Sequence, residues 1–126
     1  MFRKESFRFR NDNPHCKRED IYNKIHGSYP GRVPIIIEVY SKDQIVLVKN
    51  KYLTPVDISV GKFMAEIRKN VQGLTPERAL FLLMENKTLP PISETIGSLY
   101  DKHKHSDGFL YLYLCDENVF GVQSEM

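Results

Sequence analysis

Cys16 stands beside Lys17 and Arg18 near the start of a predicted helix, a setting that lowers a thiol's pKa and favours the reactive thiolate. Nucleophilic catalysis also needs a base, and no obvious partner accompanies Cys16, so it reads as an ordinary thiol. His103-x-His105 lies near Asp101 and Asp107. Alternate residues of a strand can chelate a metal. Here they follow a helix, in a polar loop with no Cys or third His nearby, and no metal site is expected. Gly61 is isolated and Gly27-x-x-x-Gly31 spans a proline turn, so nothing resembles a phosphate-cradling loop. Phe2 to Arg10 interleaves aromatic and basic residues. Such a stretch could contact RNA or lipid headgroups, but a disordered basic arm is the expectation, with no nucleic-acid partner. The chemistry-bearing residue types thus give neither an enzyme nor a cofactor.

The bulk numbers fit that reading. With 126 residues, 41% hydrophobic and 27% charged, the chain is long enough for one core and not for two. No apolar run approaches the ~20 residues that span a bilayer, and the N-terminus lacks the apolar segment of a signal peptide. A cytosolic protein with two reduced cysteines, Cys16 and Cys115, is expected. The net charge of +2 is uneven: +4 over residues 1–32 and −2 over residues 33–126. A basic N-terminal segment suits an acidic peptide, tubulin, an anionic lipid or a nucleic acid, without choosing among them.

The elements follow from periodicity and punctuation. Pro14 to Gly27 reads as a polar helix capped by Asn13, with Ile21, Tyr22 and Ile25 on one face. Val33 to Val39 is β-branched and reads as a strand, with Pro34 near its start where a missing N–H is tolerated. Lys42-Asp43 breaks it, and Ile45 to Leu53 reads as a second strand ending at Pro55, the two forming a hairpin. Ser59 caps an amphipathic helix through Val60, Phe63, Met64, Ile67 and Val71, stopped by Gly73. After a turn at Thr75-Pro76-Glu77, the apolar run Ala79 to Met84 suits a central strand. Ser93 opens a short helix with Ile96, Leu99 and Tyr100 inward, and Asp107-Gly108 turns into a last strand, Phe109 to Cys115. A hairpin, a crossing helix and two further strands make an α+β fold: a ubiquitin-like β-grasp, with a four-stranded mixed sheet on a central helix and an N-terminal helical extension.

Eight stretches resemble, in order, the autophagy ubiquitin-like modifiers, the group of GABARAP and the microtubule-associated light chains. They begin at Tyr29-Pro-Gly-Arg-Val-Pro-Ile-Ile, Lys51-Tyr-Leu-Thr-Pro-Val-Asp, Val60-Gly-Lys-Phe, Ile67-Arg-Lys, Pro76-Glu-Arg-Ala-Leu-Phe, Thr88-Leu-Pro-Pro, Asp107-Gly-Phe-Leu-Tyr and Glu117-Asn-Val-Phe-Gly. The resemblance implies a helical extension over 1–32, a core over 33–119, and a tail over 120–126 from which 122–126 is removable. A processing cysteine protease would cut after Gly121. Activating and conjugating enzymes would then pass that glycine to phosphatidylethanolamine, taking a cytoplasmic protein to the autophagosome membrane. Glycine suits such a step because no side chain crowds the scissile carbonyl, and Phe120 would anchor it.

The resemblance also implies a docking face for cargo receptors bearing an aromatic residue and, three positions on, an aliphatic one. The peptide would add as a strand near Lys51 to Thr54. Its aromatic pocket would be Ile25, Pro34, Ile36, Lys51, Leu53 and Phe109, and its aliphatic pocket Tyr52, Pro55, Ile58, Phe63 and Ile67. Arg32 and Arg68 would meet flanking acidic residues. Ile21, Glu66 and Asn70 depart from the family pattern, where an acidic, an apolar and a basic residue are usual. On spacing alone, Phe63 and Ile67 are core residues, and Lys51 and Arg32 are solvated charges. A non-conjugated ubiquitin-like adaptor that only binds peptides or cytoskeleton is the alternative function.

Overall fold

The computed structural model describes residues 7–40, 45–73 and 79–116. The Phe2 to Ser6 part of the basic arm, Lys42-Asp43, the Thr75-Pro76-Glu77 turn and the Phe120-Gly121 tail lie outside the described residues. The element order is α1 (Arg8–Asp12), α2 (His15–Ser28), β1 (Arg32–Val39), β2 (Val46–Leu47), β3 (Lys51–Pro55), α3 (Val60–Arg68), β4 (Val71–Gln72), β5 (Leu80–Met84), α4 (Ile96–His103) and β6 (Leu110–Asp116). The main sheet runs β3-β1-β6-β5. β1 pairs antiparallel with β3 and parallel with β6, and β5 pairs antiparallel with β6. The mixed four-stranded sheet is therefore as expected.

Strand alternation sends side chains to two covered faces. Val33, Ile35, Ile37, Leu82, Leu110, Leu112 and Leu114 pack with Phe63 and Ile67 of α3 and with Ile96 and Leu99 of α4. Ile36, Leu83, Phe109, Tyr111, Tyr113 and Cys115 pack with Phe7, Phe9, Ile21, Tyr22 and Ile25 of the N-terminal segment. The helical extension thus roofs the second face of the sheet.

A buried polar cluster fixes that roof. Arg18 of α2 donates to Asp107 at 2.6 Å, and both side chains are shielded from solvent. The Tyr111 hydroxyl donates to the same Asp107 oxygen at 2.5 Å, and the Phe109 N–H donates to the other at 2.9 Å. Arg18 Nε reaches the Asn13 carbonyl at 3.1 Å. Burial disfavours the charged guanidinium, but Tyr111 and Asp107 outweigh it and raise its pKa. Breaking one partner of such a pair strands the other's charge, at roughly 3–5 kcal/mol. Gly108 follows with φ +98, and a Cβ there would lie 2.6 Å and 2.7 Å from two carbons of the Tyr22 ring. Tyr22 is seated on a backbone position that admits only glycine.

Several boundaries differ from the sequence expectation. Asn13 does not cap α2: its Nδ2 donates back to the Phe9 carbonyl at 3.0 Å, closing α1, and Pro14 takes the N-cap. Gly27 does not end α2, which continues through Ser28. Ser59 caps α3 as expected, accepting from the Lys62 N–H at 3.1 Å. α3 ends at Arg68, however, and Val71 belongs to β4. Thr95, not Ser93, caps α4. The run Ile45 to Leu53 is not one strand. Val46–Leu47 pairs with β4 as a small separate ribbon, and only Lys51–Pro55 joins the main sheet. β5 is an edge strand, not a central one. Its continuous apolar run reflects two covered faces, with Leu80, Leu82 and Met84 on one and Phe81 and Leu83 on the other.

Candidate functional site

β3 is the outermost strand of its side, and its outward groups follow from the register. The Ile37 N–H donates to the Asn50 carbonyl at 2.8 Å, making that a hydrogen-bonded pair. Such pairs alternate in an antiparallel ladder. Ile35–Tyr52 and Val33–Thr54 are therefore bonded pairs, and Ile36–Lys51 and Pro34–Leu53 are not. Pro34, lacking an N–H, stands where β3 requires none. The N–H and C=O of Lys51 and the N–H of Leu53 consequently face the open edge, available to an added strand, and the Leu53 carbonyl faces it beside the Arg32 guanidinium.

A cavity opens on each side of this edge. The first, about 180 Å³, is walled by Ile21 and Ile25 of α2, Phe9 of α1, Pro34, Ile35 and Ile36 of β1, Lys51, Tyr52 and Leu53 of β3, and Phe109. All six residues expected for the aromatic pocket, Ile25, Pro34, Ile36, Lys51, Leu53 and Phe109, come together here. The Phe9 ring meets Phe109 edge-on at 5.1 Å, and the Lys51 ammonium lies 5.4 Å from the Phe9 ring centroid. Its alkyl stem therefore lines the cavity while the charge stays wet.

The second cavity, about 300 Å³, lies on the α3 side. Tyr52, Leu53, Thr54, Pro55, Ile58 and Phe63 line it with Arg32, Lys49, Lys62 and Glu66. Tyr52, Pro55, Ile58 and Phe63 converge as expected. Ile67 does not: its side chain is 0% exposed and belongs to the core, because its face of α3 points at the sheet. Arg68 ends α3 and lines neither cavity. Arg32 does reach the edge, where its Nη1 donates to the Leu53 carbonyl at 3.3 Å. The Tyr52 ring packs on Phe63 at 5.4 Å, and its hydroxyl accepts from Asn70 at 3.3 Å. Burial pushes the Tyr52 phenol up, and the Glu66 carboxylate adds to this against the Asn70 bond.

Phe9 was missed because the segment before Pro14 gave no clear periodicity. Lys49 and Lys62 were also missed, and their proximity to a strand edge and to the Ser59 cap was the available signal. His105 and Asp107 serve the polar cluster: the Asp107 N–H donates to His105 Nδ1 at 3.2 Å. Among the described residues no group of three or more His, Cys, Asp or Glu could hold a metal. Cys16 is exposed and Cys115 buried, and they form no disulfide with each other. No described helix is long and apolar enough to cross a membrane.

Comparison with known proteins accords with this geometry. The sequence pattern of the family described as autophagy protein Atg8, ubiquitin like, matches residues 17–121. Autophagy-related protein 8 of Dictyostelium discoideum is 41% identical over 114 residues, covering 90% of this chain and 93% of that protein. The Emericella nidulans protein of the same name is 39% identical, covering 90% and 96%. The crystal structure of Trypanosoma brucei ATG8 superposes with a TM-score of 0.83 at 34% identity, covering 90% of this chain and 97% of that one. Plasmodium falciparum Atg8, solved in complex with a Plasmodium falciparum Atg3 peptide, gives 0.75 at 25% identity, covering 86% and 95%. With its ubiquitin-like α+β fold and a match running through most of its length, the chain belongs to the Atg8 family of autophagy proteins.

Proposed function

We propose that this chain is a ubiquitin-like modifier, itself not an enzyme, that is trimmed after Gly121 and joined through that glycine to phosphatidylethanolamine. In this reading it moves from the cytoplasm to the autophagosome membrane and there recruits cargo receptors along the β3 edge. Phosphatidylethanolamine brings two acyl chains, and two are what stable anchoring requires. In the same reading residues 1–32 form the N-terminal helical extension, 33–119 the ubiquitin-like core and 120–126 the processed tail. The processing protease and the activating and conjugating enzymes are its partners in conjugation. The Atg3 peptide on the Plasmodium relative supports a conjugating-enzyme partner.

One observation carries the docking half of this reading: the two cavities sit on opposite faces of one free strand edge. Successive side chains of an added strand point to opposite faces. Only residues an odd number apart can enter both cavities, and a three-residue step covers roughly 10 Å along the strand. An aromatic residue followed at the third position by an aliphatic one meets that condition. Arg32, Lys49, Lys51 and Lys62 make the edge cationic, with Glu66 the one acidic lining residue, which favours acidic flanks.

The mass of the intact protein isolated from cells tests the conjugation half. Loss of Val122 to Met126 with gain of one phospholipid is expected, and Gly121→Ala should remain full length and diffuse. A wild-type mass without lipid would favour the peptide-binding adaptor. Lipid-linked puncta from Gly121→Ala would refute the assignment of Gly121.

A further inference from the structure

We infer that the first cavity selects phenylalanine over tryptophan at the aromatic position of the docked peptide. The inference rests on the docking reading of the β3 edge and adds a preference within it. The cavity is walled by side chains from α1, α2, β1 and β3 and by Phe109, and Lys51 is the one charged residue among them. A lysine ammonium only donates hydrogen bonds, and so does an indole N–H. α2 contributes Ile21 and Ile25 to the wall, and neither side chain offers an acceptor.

Main-chain acceptors do not fill the gap. The Lys51 carbonyl faces the free edge, where a strand-adding peptide's backbone takes it. The Leu53 carbonyl carries the Arg32 guanidinium at 3.3 Å. The Tyr52 hydroxyl is on the other face, held by Asn70 at 3.3 Å. Carbonyls of α2 are spent on the helix's own ladder, as with Ile25, which accepts from the Tyr29 N–H at 2.8 Å. A buried indole N–H would therefore go unbonded. Tryptophan's larger apolar area would ordinarily favour it, but a buried donor without a partner costs more than one extra ring edge gains. Phenylalanine has no donor to strand.

Two fluorescent peptides, identical but for Phe or Trp ahead of x-x-Leu and an acidic flank, test this by titration against the full chain. Wild type should bind the Phe peptide at least as tightly as the Trp peptide. Ile21→Glu places an acceptor on the cavity wall and should shift the Trp:Phe affinity ratio toward Trp by about tenfold, the size of one hydrogen bond to a charged group. Ile21→Gln, an uncharged acceptor, should shift it the same way by a smaller factor. A wild-type preference for Trp, or a ratio unmoved by both substitutions, overturns the inference. Leu53→Ala is the control. If neither peptide binds wild type, or binding ignores Leu53→Ala, the docking reading fails and the preference falls with it.

Discussion

Gly108→Ala is the substitution through which the fold exposes its dependence on the N-terminal segment. The backbone there is held at φ +98, and its N–H donates to the His105 carbonyl at 2.9 Å. Its carbonyl accepts from Tyr100 at 2.6 Å. Pinned at both ends, the peptide cannot relax, and an L-residue at such an angle costs about 1–2 kcal/mol. The added methyl would also stand 2.6 Å and 2.7 Å from two carbons of the Tyr22 ring, so that ring must leave. Tyr22 would forfeit its edge contact with Phe109 at 6.3 Å, worth about 0.5–1.5 kcal/mol with its packing. The total is roughly 1.5–3.5 kcal/mol, which at a mid-range urea slope of about 2 kcal/mol/M moves the unfolding midpoint by about 1 M. The decisive assay is a double-mutant cycle with Tyr22→Ala. Without the ring only the backbone cost should remain, leaving a coupling of about 0.5–1.5 kcal/mol. Costs that add to within about 0.3–0.5 kcal/mol would mean that Tyr22 and Gly108 act independently, and the seating argument would be refuted. Tyr22 shares α2 with Ile21 and Ile25, so Gly108→Ala should also weaken binding at the first cavity while sparing the second.

Leu53→Ala, at the point both cavities share, should weaken an aromatic-x-x-aliphatic peptide by about 1–3 kcal/mol in a titration, as for a central anchor. Cleavage after Gly121 should be largely unaffected. Gly121→Ala should abolish the lipid-linked form on mass analysis. Alkali should unfold the wild type through Tyr111, whose phenol is pushed up by burial and by its bond to Asp107. A raised folded pKa contributes stability that is complete below the ordinary tyrosine value near 10 and is lost as pH rises through the folded value. Unfolding midpoints measured from pH 8 to 12 should therefore fall more steeply above about 10 in wild type than in Tyr111→Phe.

Local signals in the sequence located the elements well, and long-range pairings decided the rest. Ser59 before an apolar stripe marks α3 unambiguously, because capping and periodicity are both local. The run Ile45 to Leu53 holds Ile, Val and Tyr and neither Gly nor Pro, so no local breaker says where it must end. It breaks because Val46–Leu47 finds β4 while Lys51–Pro55 finds β1. The Arg18–Asp107 pair spans 89 positions and has no sequence signature. At the candidate site, every aromatic-pocket residue suggested by resemblance does converge. Ile67 does not reach the second cavity, since its helical spacing already spoke for the core. Phe9 joins the first cavity from a segment whose pattern was ambiguous.

The open edge of β3 carries a hazard that its own residues answer. A strand with outward N–H and C=O groups will pair with any extended chain, including a second copy of itself. Here the approach of two identical edges would bring Lys49, Lys51 and Arg32 against their counterparts, at exposed positions. Pro55 closes the strand with a residue that has no N–H to offer, and Arg32 already shields the Leu53 carbonyl. If the proposed conjugation brings many copies side by side on a membrane, that arrangement would keep neighbours from zipping together. It leaves each edge open to a foreign strand that carries negative charge.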